Sequence, residues 1–220
     1  MHPQVLVRQE GDSPRERSAC GWRDRLISRE DQALGPAAWA HAVDIDGARP
    51  HYHKRSTELY YVLEGSGTVQ TFGGTRLGVA GAKGFGGGFA GRCGSDFGEP
   101  EMKAFIRTTS RIADRLGEVL RGLDCDVLVA LTHYAPVPET LAGEPLEIYP
   151  FLGSYLLGQA IDSAPTALAL HGHAHHGSER GTTPGGVRVR NVAHPVIKQA
   201  YSVFHVATAD ADALTATSRA

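Results

Sequence analysis

The sequence predicts a mixed α/β (α+β) chain in two parts. A strand-rich segment spans residues 1–70, an alternating strand and helix segment spans 71–208, and a small polar tail follows at 209–220. Three observations predict it. Short aromatic and β-branched runs bounded by turn residues fill the first part. One long stripe at helical spacing crosses the second part. Two continuous apolar runs, VLVAL at 127–131 and TALAL at 166–170, have the length of buried strands.

In chain order, RLIS (25–28) and AWAHAVDID (38–46) read as short strands, with a turn at DGARP. TELYYVLEGSGTVQT (57–71) reads as a hairpin whose turn is Gly65–Ser66–Gly67. TRLGVAGA (75–82) is a strand running into the glycine-rich GAKGFGGGFAG (81–91). EPEMKAFIRTTSRIADRLGEVLRGL (99–123) places apolar residues at 102, 105, 106, 112, 113, 116, 119, 120 and 123, the stripe of an amphipathic helix, with Pro100 suited to its first turn. DVLVALTH (126–133) and TALALHGH (166–173) are buried-type strands flanking a short helix at GSYLLGQAID (153–162). GVRVRNVA (186–193) and AYSVFHVA (200–207) close the series as strands. Alternation of strand and helix marks a layered α/β unit.

Composition narrows the function. Lys and Arg number 22 against 24 Asp and Glu, a formal net charge of -2, so no electrostatic footprint for nucleic acid or an anionic membrane is present. Cys20, Cys93 and Cys125 are odd in number and widely spaced, which supports neither a disulfide framework nor a thiolate zinc site. The start turns charged within eight residues and contains no apolar targeting core, and VLVAL is too short to span a bilayer. A cytoplasmic protein without membrane or nucleic-acid partners is expected.

The chemistry concentrates in histidines. HGHAHH (171–176) puts four of them into six positions after an apolar strand, and His133 follows VLVAL in the same way. Ligands of α/β sheets collect at the carboxyl ends of strands, and neutral imidazole suits zinc, iron and manganese. His133, His173 and His175 are therefore candidate metal ligands. Gly172 and Gly177 give the turn room to close. The glycine-rich GAKGFGGGF lacks the ending of a phosphate-binding P-loop, and a structural turn is the better reading.

Taken together, LTHYAPV (131–137), HGHAHHG (171–177), GVAGAKGFGGGFAG (78–91), GSDFGEPEMKAF (94–105) and EIYPFLGSYLL (147–157) resemble the second half of a calcineurin-like metallophosphoesterase over roughly residues 68–206. The resemblance implies half of a four-layer α/β/β/α sandwich, with two metals activating water against a phosphate ester. It implies His133 and His173 at the second metal and His175 at the first. The Asp-x-His, bridging Asp and Asn-His motifs of that family's first half have no counterpart upstream of His133, so hydrolysis is expected to be impaired. The substrate would be a small phosphomonoester or phosphodiester.

A second pattern precedes it. His51-x-His53, then Glu58 and Gly65, resembles the first cupin motif, in which two His and a Glu hold a divalent metal (Mn, Fe or Zn) inside a β-barrel. Alternation along a strand places His51 and His53 on one face, and Glu58 completes a two-His, one-carboxylate set. The second cupin motif is missing, so the resemblance implies a partial barrel. The alternative functions are accordingly a non-catalytic cupin-type metal-binding or sensor module, or an inactive fusion product. ELYYVLEG is expected to extend the sheet that begins at TRLGVAG through the Gly65–Gly67 hairpin. Two separate half-sites are expected, and an incompletely covered sheet predicts a homo-oligomer.

Overall fold

Charged pairing dominates the first sheet. The computed structural model describes residues 14–27, 40–49, 51, 66–70, 74–199 and 202–206. The chain divides into two units, 1–60 and 61–220. In the first, β1 (Arg15–Arg17), β2 (Gly21–Ile27) and β3 (Ala40–Ile45) form an antiparallel sheet in that order. Arg15 pairs with Asp44, Arg17 with Asp46, and both Arg23 and Arg25 with Glu16. These pairs are part-exposed, and each such pair is worth about 1 kcal/mol or less. Gly21 is the one fully buried residue among those described in this unit. It sits at φ +147°, where a Cβ would run into the backbone of Asp44.

The second unit begins with β4 (Ser66–Gln70), antiparallel to β5 (Arg76–Ala82) with Ser66 opposite Ala80 and Gly67 opposite Val79. The hairpin turn expected at Gly65–Gly67 is therefore corrected. Ser66 and Gly67 lie within a strand, and the chain reverses between Gln70 and Arg76. The ladder explains this, since Thr68 and Val69 have good strand propensity and continue the pairing past the glycine. The tail at 209–220, and the stretch 52–65 that holds most of the expected hairpin's first arm, lie outside the described residues.

After β5 come a two-residue hairpin, β6 (Gly88–Phe89) with β7 (Arg92–Cys93), and helix α1 (Pro100–Gly122). Strand β8 (Val127–Thr132) follows, then two 3-10 turns (Pro138–Leu141 and Leu146–Ile148), α2 (Tyr149–Leu152) and α3 (Tyr155–Asp162). The chain continues through β9 (Thr166–His171), β10 (Arg180–Thr182), β11 (Arg188–Asn191) and α4 (His194–Ile197). Apart from the β6–β7 pair, the described strands of this unit make one sheet in the order β10-β11-β9-β8-β5-β4, with β5, β8, β9 and β11 parallel and antiparallel strands at both edges. The long helix begins and ends close to where its apolar stripe predicts.

One face of the sheet carries the core. Ala80, Leu128, Ala130, Ala169 and Val189 point to the side covered by α1 and α3, which bury Ala113, Leu116, Leu120, Leu157 and Ile161 against them. The two helices approach closely because Gly117 has no side chain, leaving Ala160 and Ser163 against its backbone. Ser154 caps α3 by accepting from the N–H of Leu156 at 3.2 Å. Arg76 pairs with Asp124 and Asp126, and its N–H donates to Asp126 at 2.7 Å, which fixes the start of β5 beside β8.

The strand expected over 200–207 is corrected as well, because Ser202–Val206 carries no strand pairing. Its apolar alternation is short, and the preceding Lys198 adopts a left-handed conformation that turns the chain after α4. None of the three cysteines forms a disulfide. Among the described residues no helix is long and apolar enough to cross a membrane.

Leu116 is 2% exposed at the centre of this core. Leu116→Ala should lower unfolding free energy by about 2–5 kcal/mol with an unchanged denaturant slope, measured by urea titration followed by far-UV circular dichroism.

Candidate metal centre

Four parallel strands, β5, β8, β9 and β11, end level with one another. Ala82 pairs with Thr132, Leu131 with Leu170, and His171 with Asn191. The residues that follow them are therefore neighbours. The carbonyl of Lys83 accepts from the N–H of His133 at 3.0 Å and from that of Tyr134 at 3.1 Å. The rings of His133 and His173 lie 4.7 Å apart, and Tyr134 sits 4.5 Å from His173 and 5.7 Å from His133. Two of the three candidate ligands are thus side by side. The Nε2 of His173 lies 3.3 Å from the carbonyl of Phe151. A carbonyl only accepts, so Nε2 carries the hydrogen in this contact and Nδ1 keeps the lone pair.

Buried polar groups from three other segments shape the histidine loop. Asn191, fully buried, donates through Nδ2 to the carbonyl of Ala174 at 2.7 Å and accepts through Oδ1 from the N–H of Ala193 at 3.1 Å. Glu144 accepts from the N–H of His176 at 2.7 Å. The carbonyl of Thr140 accepts from the N–H of Ser178 at 3.1 Å. Within the loop the N–H of Ala174 closes back on the carbonyl of Gly172 at 2.8 Å. The unusual backbone conformation falls on His173 itself, at φ +67°, and not on the flanking glycines. Gly177 is needed for a different reason: a Cβ there would strike the carbonyl of Thr140.

His171 is the buried member of the cluster, 1% exposed. Its Nδ1 lies 2.8 Å from the carbonyl of Gly172 and its Nε2 2.8 Å from the hydroxyl of Thr140. The Gly172 carbonyl requires hydrogen on Nδ1, so in the neutral ring Nε2 accepts from Thr140. Burial pushes its pKa down to about 4, against a smaller upward effect of the Gly172 carbonyl, with His133 and His173 adding to the depression. His133 is also pushed below its ordinary value, first by burial and then by the charges of His173, Lys83 and His175. Neutral imidazole is the form that binds a metal.

His175 is exposed on the loop, close enough in charge to act on His133. Among the described residues, no three His, Cys, Asp or Glu side chains are gathered tightly enough to hold a metal ion. The donor chemistry of the adjacent His133 and His173 pair suits one borderline transition metal. It does not suit a bridged pair of ions, because Glu144, the carboxylate beside this loop, is buried and engaged with the His176 N–H. Of the cupin-like set, His53 and Glu58 lie outside the described residues. His51 is exposed in the first unit, with Nδ1 2.8 Å from the carbonyl of Arg49 and Nε2 3.5 Å from Cys20 Sγ.

The glycine-rich loop is a packing device. The N–H groups of Gly87 and Gly88 donate to the carbonyls of Pro150 (2.6 Å) and Gly153 (2.9 Å), which leaves neither to cradle a phosphate. A Cβ on Gly86 would strike the same Pro150 carbonyl and the Phe105 ring.

His171, Thr140, Glu144, Asn191, Tyr134 and Lys83 are the residues that reasoning from sequence did not single out. The first was within reach, since alternation along TALALH puts His171 on the same face as the core residue Ala169. The others carry no local signal, being polar residues in irregular segments. No protein-family model, curated protein or solved structure matches the chain.

Two outcomes follow from this geometry. His171 is depressed in the fold, so between about pH 4 and 6.5 the unfolded chain binds more protons. Its contribution is fully present above pH 6.5 and is lost as pH falls through 4. With a chelator present, stability should drop by up to about 3 kcal/mol over that window, and His171→Gln should flatten the slope in urea titrations at matched pH. Separately, His173→Gly should be more stable than His173→Ala by about 1 kcal/mol in thermal melts, because only glycine takes φ +67° without strain.

Proposed function

We propose that the second unit acts as a metallophosphoesterase-type hydrolase of low turnover, binding a divalent transition metal (Mn, Fe or Zn) through His133, His173 and His175. One observation carries the reading: His133 and His173 stand side by side at the carboxyl ends of adjacent parallel strands, β8 and β9. Sheets of this kind collect ligands there. The depressed titration of His133 keeps a lone pair available at neutral pH.

A bound divalent ion supplies Lewis-acid polarisation of a phosphoryl oxygen and a lowered pKa for its water. The protein's own part is to favour the neutral form of His133, to orient His173 through the Phe151 carbonyl, and to fix the loop through Asn191, Thr140 and Glu144. Two-metal phosphoesterases hold their ions about 3.5–4 Å apart, which needs a bridging carboxylate. None stands between His133 and His173 among the described residues. Slow hydrolysis of a small phosphomonoester or phosphodiester is the consistent outcome.

Elemental analysis after dialysis should give close to one metal per chain, and a large loss in the double variant His173→Ala with His175→Ala. Equal content in the two proteins overturns the assignment. With added manganese, a nitrophenyl phosphodiester should turn over slowly, and His133→Ala should reduce the rate by at least about tenfold. Hydrolysis indifferent to His133 would place the chemistry elsewhere.

A further inference from the structure

We infer that Lys83 is an anion anchor: its ammonium holds a phosphoryl group beside His133, and anion and metal bind the centre cooperatively. The metal half of this statement rests on the reading above, whereas the anion half does not.

The placement comes from the backbone. β5 ends at Ala82 directly opposite Thr132, and the next carbonyl, that of Lys83, takes both the His133 and Tyr134 N–H groups. Lys83 is therefore locked beside the first candidate ligand by two hydrogen bonds, while its side chain is exposed. No carboxylate among the described residues pairs with it, whereas Arg76 at the start of the same strand and Arg107 and Arg115 on α1 have acidic partners.

The strand ends thus present a lysine beside the His133 and His173 imidazoles, with no acidic group between them among the described residues. Charge decides what such a notch accepts. A divalent cation entering alone meets the repulsion of Lys83. A phosphate dianion meets only attraction and also satisfies the strongly hydrated, compact ammonium, which binds phosphate as a point charge. With both bound, the anion screens the cation from the lysine. Each ligand then tightens the other by the same factor, as linkage requires. The adjacent Gly87 and Gly88 N–H groups are already engaged with Pro150 and Gly153.

The test uses the full chain and inorganic phosphate as probe. Phosphate is titrated into metal-free wild type, Lys83→Gln and Lys83→Arg, followed by phosphorus NMR line width and calorimetry. Manganese is then titrated with and without phosphate. Wild type should bind phosphate at least about fivefold more tightly than Lys83→Gln, with Lys83→Arg close to wild type because its charge is retained. Phosphate should raise manganese affinity by at least about fivefold in wild type and much less in Lys83→Gln. Lys83→Gln should bind manganese alone as tightly as wild type or more tightly. Equal phosphate affinity in wild type and Lys83→Gln, or no measurable phosphate binding in either state, overturns the anchor. Failure of manganese to bind any variant overturns the metal reading and the cooperativity, while the metal-free titration still decides the role of Lys83.

Discussion

The parallel register of β5, β8 and β9 is the constraint on which the centre depends. Pairing of Ala82 with Thr132, and of Leu131 with Leu170, brings the three strands to a common edge. A slip of one residue would turn every side chain of a strand to the opposite face. It would take Leu128 and Ala130 away from α1 and α3 and carry His133 away from Lys83. The register is held from both ends. At the amino end Arg76 bonds Asp124 and Asp126, and at the carboxyl end the Lys83 carbonyl takes two N–H groups from the β8 side. Between them the packing of α1 and α3 on Ala80, Ala130 and Ala169 allows a single arrangement.

Beneath the histidines, polarity replaces hydrophobic packing. Asn191, Thr140 and His171 are each at most 1% exposed, and every one has a hydrogen-bond partner. A buried network of this kind stabilises one loop geometry only while all its members remain satisfied. That geometry tolerates a left-handed His173, a conformation costing about 1–3 kcal/mol when imposed on a residue with a side chain. Strain of that sort persists where surrounding structure overdetermines it, and here Ala174, His176 and Ser178 are all tied down by groups outside the loop.

How much of this was written plainly in the chain differs from element to element. The 3.6-residue stripe from 102 to 123 marks α1 because a helix of that length repeats its signal many times, and VLVAL and TALAL mark β8 and β9 because continuous apolar runs need burial on both faces. Ser66 and Gly67 misled because Gly-Ser-Gly is a strong turn signal locally, and only pairing with Val79 and Ala80, more than ten residues away, keeps it extended. Ser202–Val206 misled in the opposite sense, its alternation being real but without a ladder to join. Placing candidates at strand ends from sequence brought out His133 and His173, which are adjacent. It passed over Lys83 and Asn191, whose importance comes from contacts made across tens of residues.

The dependence of the histidine loop on Asn191 sets an order of events during synthesis. A growing chain delivers Lys83, His133 and His173 well before residue 191, and the strands that carry two of them can pair as soon as they emerge. Yet the carbonyl of Ala174 has no Asn191 amide to meet, and β9 no partner in β11, until some twenty further residues have followed. Ions and anions encountered by the nascent chain meet loose imidazoles on an unclosed loop. Strand β11 gives the loop its shape, so His173 reaches its final position only after Asn191 has been added to the chain.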